Sequence, residues 1–234
     1  MLGPIRRVIR HSLRSFGYDI SRLDERRDPF DDMKRLVSPS PLIFDIGANL
    51  GHTLTNFRET FKNPSIHAFE PGRVAFATLK KNYGTYRDVT LNNMALGSSK
   101  ETRSFLENKN NDMSSFLEIG SEGWGSITER NPVEINTVDD YCKTRQINKI
   151  DILKSDTQGF ELEVLKGAEH TIARGGIQLV YLEIIFAELY KGLPPADEIM
   201  RFLREHQFSL VSFYRFHHIN NHVGWTDGLF RYSS

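Results

Sequence analysis

From residue 41 onward, apolar runs of strand length alternate with stretches whose apolar residues recur every third or fourth position. LIFDIG (42–47) is a short apolar run ending in glycine and predicts a buried strand, with HTLTNFRETF (52–61) as the helix after it. SIHAFEP (65–71), stopped by Pro71, and GRVAFATLKKNY (72–83) repeat the pair, and VTLNNMALG (89–97) contains the third strand. KIDILKSD (149–156) predicts a further buried strand, FELEVLKGAEHTIA (160–173) an amphipathic helix and IQLVYLEII (177–185) a strand. ADEIMRFLREHQF (196–208) places Ile199, Phe202, Leu203 and His206 on one helical face. SLVSFYRF (209–216) and DGLFRYS (227–233) end the chain as strands paired antiparallel. Repeated βα units predict an α/β fold: a mostly parallel sheet with helices on both faces and an antiparallel C-terminal hairpin.

Two segments break the rhythm. Residues 98–136 are rich in Asn, Ser and Gly, with strand-like pieces at 102–107 and 133–138; they read as a ligand-facing insertion or as a solvated loop. Residues 1–40 read as an appendage to a domain spanning 41–234. Within 1–18, Arg6, Arg7, Arg10 and Arg14 occur without an acid, and Leu2, Ile5, Ile9, Leu13 and Phe16 recur at helical spacing. That is a basic amphipathic helix, suited either to packing on its own domain or to peripheral contact with an anionic membrane. A charged, proline-containing linker follows.

Composition narrows the classes. Lys plus Arg and Asp plus Glu both total 30 in 234 residues, so net charge recruits neither nucleic acid nor membrane. The one cysteine, Cys142, excludes an intramolecular disulfide framework and a multi-cysteine zinc site. No transmembrane run and no signal-peptide h-region are visible. The expected location is therefore cytoplasmic, at the inner membrane face if residues 1–18 lie on lipid.

In open parallel sheets, ligands bind beyond the carboxyl ends of the strands. The loop FDIGANLGH (44–52) resembles a nucleotide-binding turn without being GxGxxG. Gly47 permits a sharp turn, Asn49 tolerates the left-handed region and Gly51 allows tight approach to the next helix. A carboxylate at Asp45 repels a pyrophosphate and suits an ammonium or sulfonium. Glu70 ends the next strand, where an acid accepts ribose hydroxyls. Together the two acids describe S-adenosylmethionine, its amino acid end near the turn and its ribose on Glu70.

FDIGANLG, AFEP, NNMALG and KSDTQGFELEVLKGA, in that order, resemble the FkbM family of S-adenosylmethionine-dependent methyltransferases, from about residue 42 to the C-terminus. The resemblance implies a Rossmann-like class I methyltransferase fold with a seven-stranded sheet. It implies that Asp45, Gly47, Asn49, Gly51, Glu70 and Pro71 form the cofactor site, with Asn93, Met94 and Ala95 walling the adenine and Asp156 nearby. Lys154, Asp156, Gly159 and Glu161 match the family's KxDxxGxE segment. Gln158 stands where relatives often carry Glu, so no metal ligand carries over and a divalent-metal requirement stays open.

Methyl transfer to a hydroxyl needs alignment and a base. Asp156, at a strand end, is the first candidate for base or for anchor of the acceptor hydroxyl, set against a role as helix cap. Glu183, a charge inside an apolar run, is the second. Ser114, Ser115, Tyr190, His218 and Trp225 are candidate acceptor contacts, with Asn110, Asn111, His217 and His222 behind them. The function expected is O-methylation of a sugar hydroxyl in a glycan or glycolipid. The alternatives are O-methylation of a polyketide-type product, a nicotinamide-dependent oxidoreductase, or a non-catalytic glycan-binding protein on the same fold. Nucleic acid is not an expected partner.

Overall fold

The computed structural model describes residues 27–233. The expected helix at 1–18 lies outside the described residues. A seven-stranded sheet runs β3-β2-β1-β7-β8-β10-β9. Its members are β1 (Leu42–Ile46), β2 (Ser65–Phe69), β3 (Val89–Asn92), β7 (Ile150–Ser155), β8 (Ile177–Ile185), β9 (Phe208–Ile219) and β10 (His222–Tyr232). The first five are parallel, and β10 pairs antiparallel with both β8 and β9. The strand order reverses beside β1, where the β1 and β7 tips lie in register, Asp45 opposite Lys154 and Ile46 opposite Ser155.

The seven helices are α1 (Pro29–Leu36), α2 (His52–Thr60), α3 (Arg73–Tyr83), α4 (Val138–Arg145), α5 (Glu161–Lys166), α6 (Glu169–Ala173) and α7 (Ala196–Glu205), among the described residues. Alternation along the central strands feeds two cores. Ile43, Ile66, Ile152, Leu179 and Leu229 pack with Met33, Leu54, Phe57 and Leu79 of α1–α3. Phe44, Leu153, Val180 and Phe230 pack with residues of α4–α7 on the other face. No helix among the described residues is long and apolar enough to cross a membrane.

The fold departs from the pattern in four places. Residues 29–36, expected within a linker, form α1. Asp28 caps it by accepting from the Phe30 and Asp31 amides, Met33 is fully buried, and the Tyr214 hydroxyl donates to Asp32 Oδ2 at 3.0 Å. The insertion is ordered rather than a solvated loop: β4 (Ala95–Leu96), β5 (Glu101–Asn108) and β6 (Ile127–Asn136) form a second sheet, order β4-β6-β5. The 89–97 segment is thus shared between two sheets.

Helix α4 was not expected over 138–145. Thr137 caps it through the Asp140 amide at 3.0 Å, and it buries Val138, Tyr141 and Cys142. The helix expected at 160–173 divides into α5 and α6. A Cβ on Gly167 would lie 1.9 Å from the Gly97 carbonyl oxygen, so the backbone of the 97–98 turn packs where a side chain would stand.

Because α1 is part of the core, Met33→Ala is expected to cost about 2–5 kcal/mol in urea unfolding. A loss below about 1 kcal/mol would show that residues 29–36 are dispensable to the domain.

Candidate active site

The turn after β1 is shaped by close approach. Gly47 has φ +76°, and a Cβ there would sit 1.8 Å from the Asp156 carbonyl oxygen. The Gly47 and Ala48 amides donate to the Phe69 carbonyl at 3.0 Å, tying the turn to β2 as well. Asn49 follows at φ +47°, then Gly51 at φ +94°, where a Cβ would strike the Tyr83 ring at 2.4 Å. These three residues have steric reasons to be what they are.

Beneath the turn, Asp45 is fully buried and meets Lys154 Nζ at 2.9 Å. The same ammonium donates to the Gly47 carbonyl at 2.9 Å and stands 3.9 Å from Asp156 Oδ2. Burial works against the Lys154 charge, but the Asp45 and Asp156 carboxylates outweigh it and raise the lysine's affinity for its proton. Neither Asp45 oxygen accepts a well-aligned hydrogen bond, so the ion pair is its compensation among the described residues. Asp45 was expected to face a cationic ligand. It lies instead behind the turn, with Lys154 as its counter-ion, and lines no cleft described here.

The cleft above the turn spans about 620 Å³, part of it open to solvent. Gly47, Asn49, Glu70, Pro71, Met94, Ala95, Ser114 and Asp156 line it, together with Asn111. Glu70 Oε2 accepts from the Asn49 amide at 2.8 Å and Oε1 from the Gly72 amide at 2.7 Å. Burial nevertheless pushes the Glu70 carboxyl up to about 7. Asn93 was expected at the wall but braces it from outside, donating to the Glu70 carbonyl at 2.9 Å. Gly51 supports the turn without lining the cleft. The opposite wall is Phe105, Phe116 and Phe160, with rings 4.9–5.1 Å apart in sequence of contact. No expectation named them, although apolar residues inside a polar insertion were the available signal.

The KSDTQGFE segment forms the floor. Glu161 folds back onto its own loop, Oε1 accepting from the Thr157 amide at 2.7 Å and Oε2 from the Gly159 amide at 3.0 Å. Burial pushes its carboxyl up to about 7. Glu161, rather than Asp156, holds the loop, which leaves Asp156 at the tip of β7. Gln158, at φ +56°, bridges the candidate acids: its amide nitrogen donates to Asp156 Oδ1 at 2.8 Å and to Glu183 Oε2 at 3.2 Å. Burial and the neighbouring Asp156 raise the Glu183 carboxyl well above the usual range.

Asp156 also lines a second cleft of about 480 Å³, with Glu183, Asp227, Lys154, Thr53 and Asn56. Burial and Asp156 push Asp227 up to about 6. Asp227 was missed because an acid in a terminal strand gives no local signal.

The candidate acceptor contacts divide. Ser114 reaches the first cleft, its hydroxyl accepting from the Asn108 amide at 3.0 Å. Ser115 is buried and donates to the Gln158 carbonyl at 2.7 Å. Tyr190 is fully buried and donates to Gln158 Oε1 at 2.6 Å. Both position the loop and do not face an acceptor. His218 is exposed on edge strand β9 and lines neither cleft. Trp225 has His217 stacked on its ring at 4.6 Å and Trp124 at 5.8 Å. His222 pairs with Glu122 at 3.1 Å.

A turn of this shape, an acid ending the second strand and an acid at the tip of β7 occupy the binding side of the sheet. The sequence profile described as "Methyltransferase FkbM domain" matches residues 45–210. The chain belongs to the FkbM methyltransferase family. It is 26% identical over 188 residues to the 2-O-methyltransferase NoeI of Sinorhizobium fredii, covering 76% of each chain. It is 23% identical over 197 residues to the hexuronic acid methyltransferase AglP of Haloferax volcanii, covering 82% of this chain and 74% of that one. An rRNA methylase from Streptococcus thermophilus shares the fold at a TM-score of 0.51 and 10% identity, over 88% of this chain and 94% of that one. M. capricolum TrmK, solved with S-adenosyl-homocysteine, does so at 0.50 and 11%, over 88% and 68%. These two likenesses speak for the class I methyltransferase fold alone.

The methyl donor of this FkbM-family chain is S-adenosylmethionine. The first cleft fits it chemically. Asn49 Oδ1 is buried without a hydrogen-bond partner on the cleft wall, Glu70 keeps acceptor capacity beyond its two amide donors, and aromatic rings form the far wall.

Lys154→Met leaves Asp45 buried without its counter-ion and is expected to cost about 3–5 kcal/mol in denaturant unfolding. The double variant Asp45→Leu/Lys154→Met is expected to be more stable than Lys154→Met alone. Strictly additive losses would show that the two charges are not coupled.

Proposed function

We propose that this enzyme transfers a methyl group to a hydroxyl oxygen of a sugar in a glycan or glycolipid. The observation that carries the reading is the position of Asp156, which lines both clefts, the one that fits the donor and the polar one beside it. The names of the two curated relatives, an O-methyltransferase and a hexuronic acid methyltransferase, support oxygen as the target atom and a sugar as the acceptor.

S-adenosylmethionine supplies an electrophilic methyl group. The chain's own task is to hold the acceptor hydroxyl and take its proton. Asp156 Oδ2 accepts that proton, while Oδ1 stays fixed by Gln158. Glu183, held by the same amide, anchors a neighbouring hydroxyl. Tyr190 and Ser115 act through Gln158 and its loop, so they are positioning residues. Glu70 and Asn49 hold the donor's hydroxyl and ammonium groups. Alignment of this kind contributes about 7–11 kcal/mol of barrier lowering, and a positioned base roughly 10²- to 10⁴-fold in rate.

Asp156→Asn is expected to lower kcat by about 10²-fold or more at unchanged S-adenosyl-homocysteine affinity, measured by labelled methyl transfer and calorimetry. Full turnover would remove Asp156 as the base. Glu70 gives a separate test. Its carboxyl is raised to about 7, and ribose hydroxyls donate to the ionised form. Affinity for S-adenosyl-homocysteine is therefore expected to rise roughly 10-fold from pH 6 to pH 8. Glu70→Gln should bind weakly and without that pH dependence; a sloping profile in the variant would assign the titration elsewhere. Folding stability moves the opposite way. A raised carboxyl stabilises the folded state less as pH climbs from about 4.5 to about 7, so wild type should lose stability relative to Glu70→Gln over that window.

A further inference from the structure

The second cleft has an unusual register. On the α1–α3 face of the sheet, Ile43, Ile152 and Leu179 lie in register as an apolar layer. Two residues nearer the binding edge, the strands place Asp45, Lys154 and Tyr181 in register, with Leu229 opposite Tyr181. Asp227 of β10 lies directly opposite Glu183 of β8. Like charges facing each other across an antiparallel pair are unfavourable. The local donors answer only part of that charge. The Tyr181 hydroxyl donates to Asp227 Oδ2 at 3.0 Å and Gln158 donates to Glu183 Oε2 at 3.2 Å. Among the described residues, Asp227 Oδ1 and Glu183 Oε1 accept no hydrogen bond from the protein, yet neither atom is buried without a partner, because both border the cleft.

The cleft spans about 480 Å³ of space open to solvent, and Thr53 and Asn56 of α2 also line it. Among the described residues the one cation that lines it, Lys154, is already engaged by Asp45. Three acidic side chains, Asp156, Glu183 and Asp227, therefore face a space that, among the described residues, holds no free positive charge. Such a space binds groups that donate hydrogen bonds and rejects groups that carry negative charge.

We propose that this cleft is the acceptor subsite, and that Glu183 and Asp227 select an uncharged sugar by each accepting a hydrogen bond from one of two neighbouring hydroxyls, excluding sugars that carry a carboxylate. The proposal rests on the methyl-transfer reading above and deepens it. It also separates this chain from a relative named for hexuronic acid: a uronate entering here meets three acidic side chains and, among the described residues, no available ammonium. Asp227 becomes a specificity-determining residue, since it touches the acceptor but lines no part of the donor cleft.

The test uses the full chain saturated with S-adenosyl-homocysteine and matched pairs of methyl glycosides, the glucoside with the glucuronoside and the galactoside with the galacturonoside. Binding is read by saturation-transfer NMR, and labelled methyl transfer from S-adenosylmethionine is read on the same pairs. The neutral member of at least one pair is expected to bind, at least 10-fold more tightly than its uronoside. Asp227→Asn, checked for native circular dichroism, should weaken the neutral sugar and shrink the gap to about threefold or less. Equal or tighter uronoside binding overturns the proposal, as does an unchanged gap in Asp227→Asn, or neutral-sugar binding that needs an added divalent cation. Bound S-adenosyl-homocysteine with no sugar of any pair bound overturns the subsite alone. Failure to bind S-adenosyl-homocysteine at all would bring down the methyl-transfer reading instead.

Discussion

The contact between Asp45 and Lys154 underlies everything at the binding edge. Two oppositely charged groups from β1 and β7, both withdrawn from water, lock the strand tips in register. The ammonium then reaches up to the Gly47 carbonyl and fixes the turn from below. Its remaining field falls on Asp156. An ion pair so placed is poor evidence of stability in itself, because desolvation opposes the attraction. Its role is geometric: the Gly47 turn and the Asp156 carboxylate share one anchor.

From that anchor the site divides into rigid and adjustable parts. The donor side is made by backbone, with amide donors on Glu70 and close glycine contacts that leave little freedom. The acceptor side is made by side chains linked through Gln158, which touches Asp156, Glu183 and Tyr190 at once. The insertion contributes Phe105 and Phe116 to the aromatic wall, beside Phe160 at the start of α5, and the bridge between Ile119 and Tyr190 joins it to the 185–193 loop. The part of the chain that differs most from a bare βα repeat is thus the part that walls the site.

What the sequence made legible follows from range. Strands of the large sheet announce themselves because both faces are covered, so their residues are continuously apolar. The glycine turn and the acids at strand ends are local signals and were found. Features set by distant partners were not. Asp45 looked like a ligand contact because Lys154 is more than a hundred residues away in the chain. The break at Gly167 depends on the Gly97 carbonyl, and no periodicity reports that. Helix α4 was hidden because it is short and mostly polar, with only its Thr137 cap to mark it. Tyr190 and Ser115 were assigned to the acceptor by residue type. The hydrogen bonds that claim them for Gln158 exist only in the folded chain.

Asp156 belongs to both clefts, and this has a thermodynamic consequence. Occupancy of one cleft changes the charge environment of the other through a single carboxylate, so the two ligands must influence each other's affinity by the same factor in either direction. The coupling differs between the two ends of the reaction: a positively charged donor offsets the neighbouring acids, whereas the neutral thioether left behind does not.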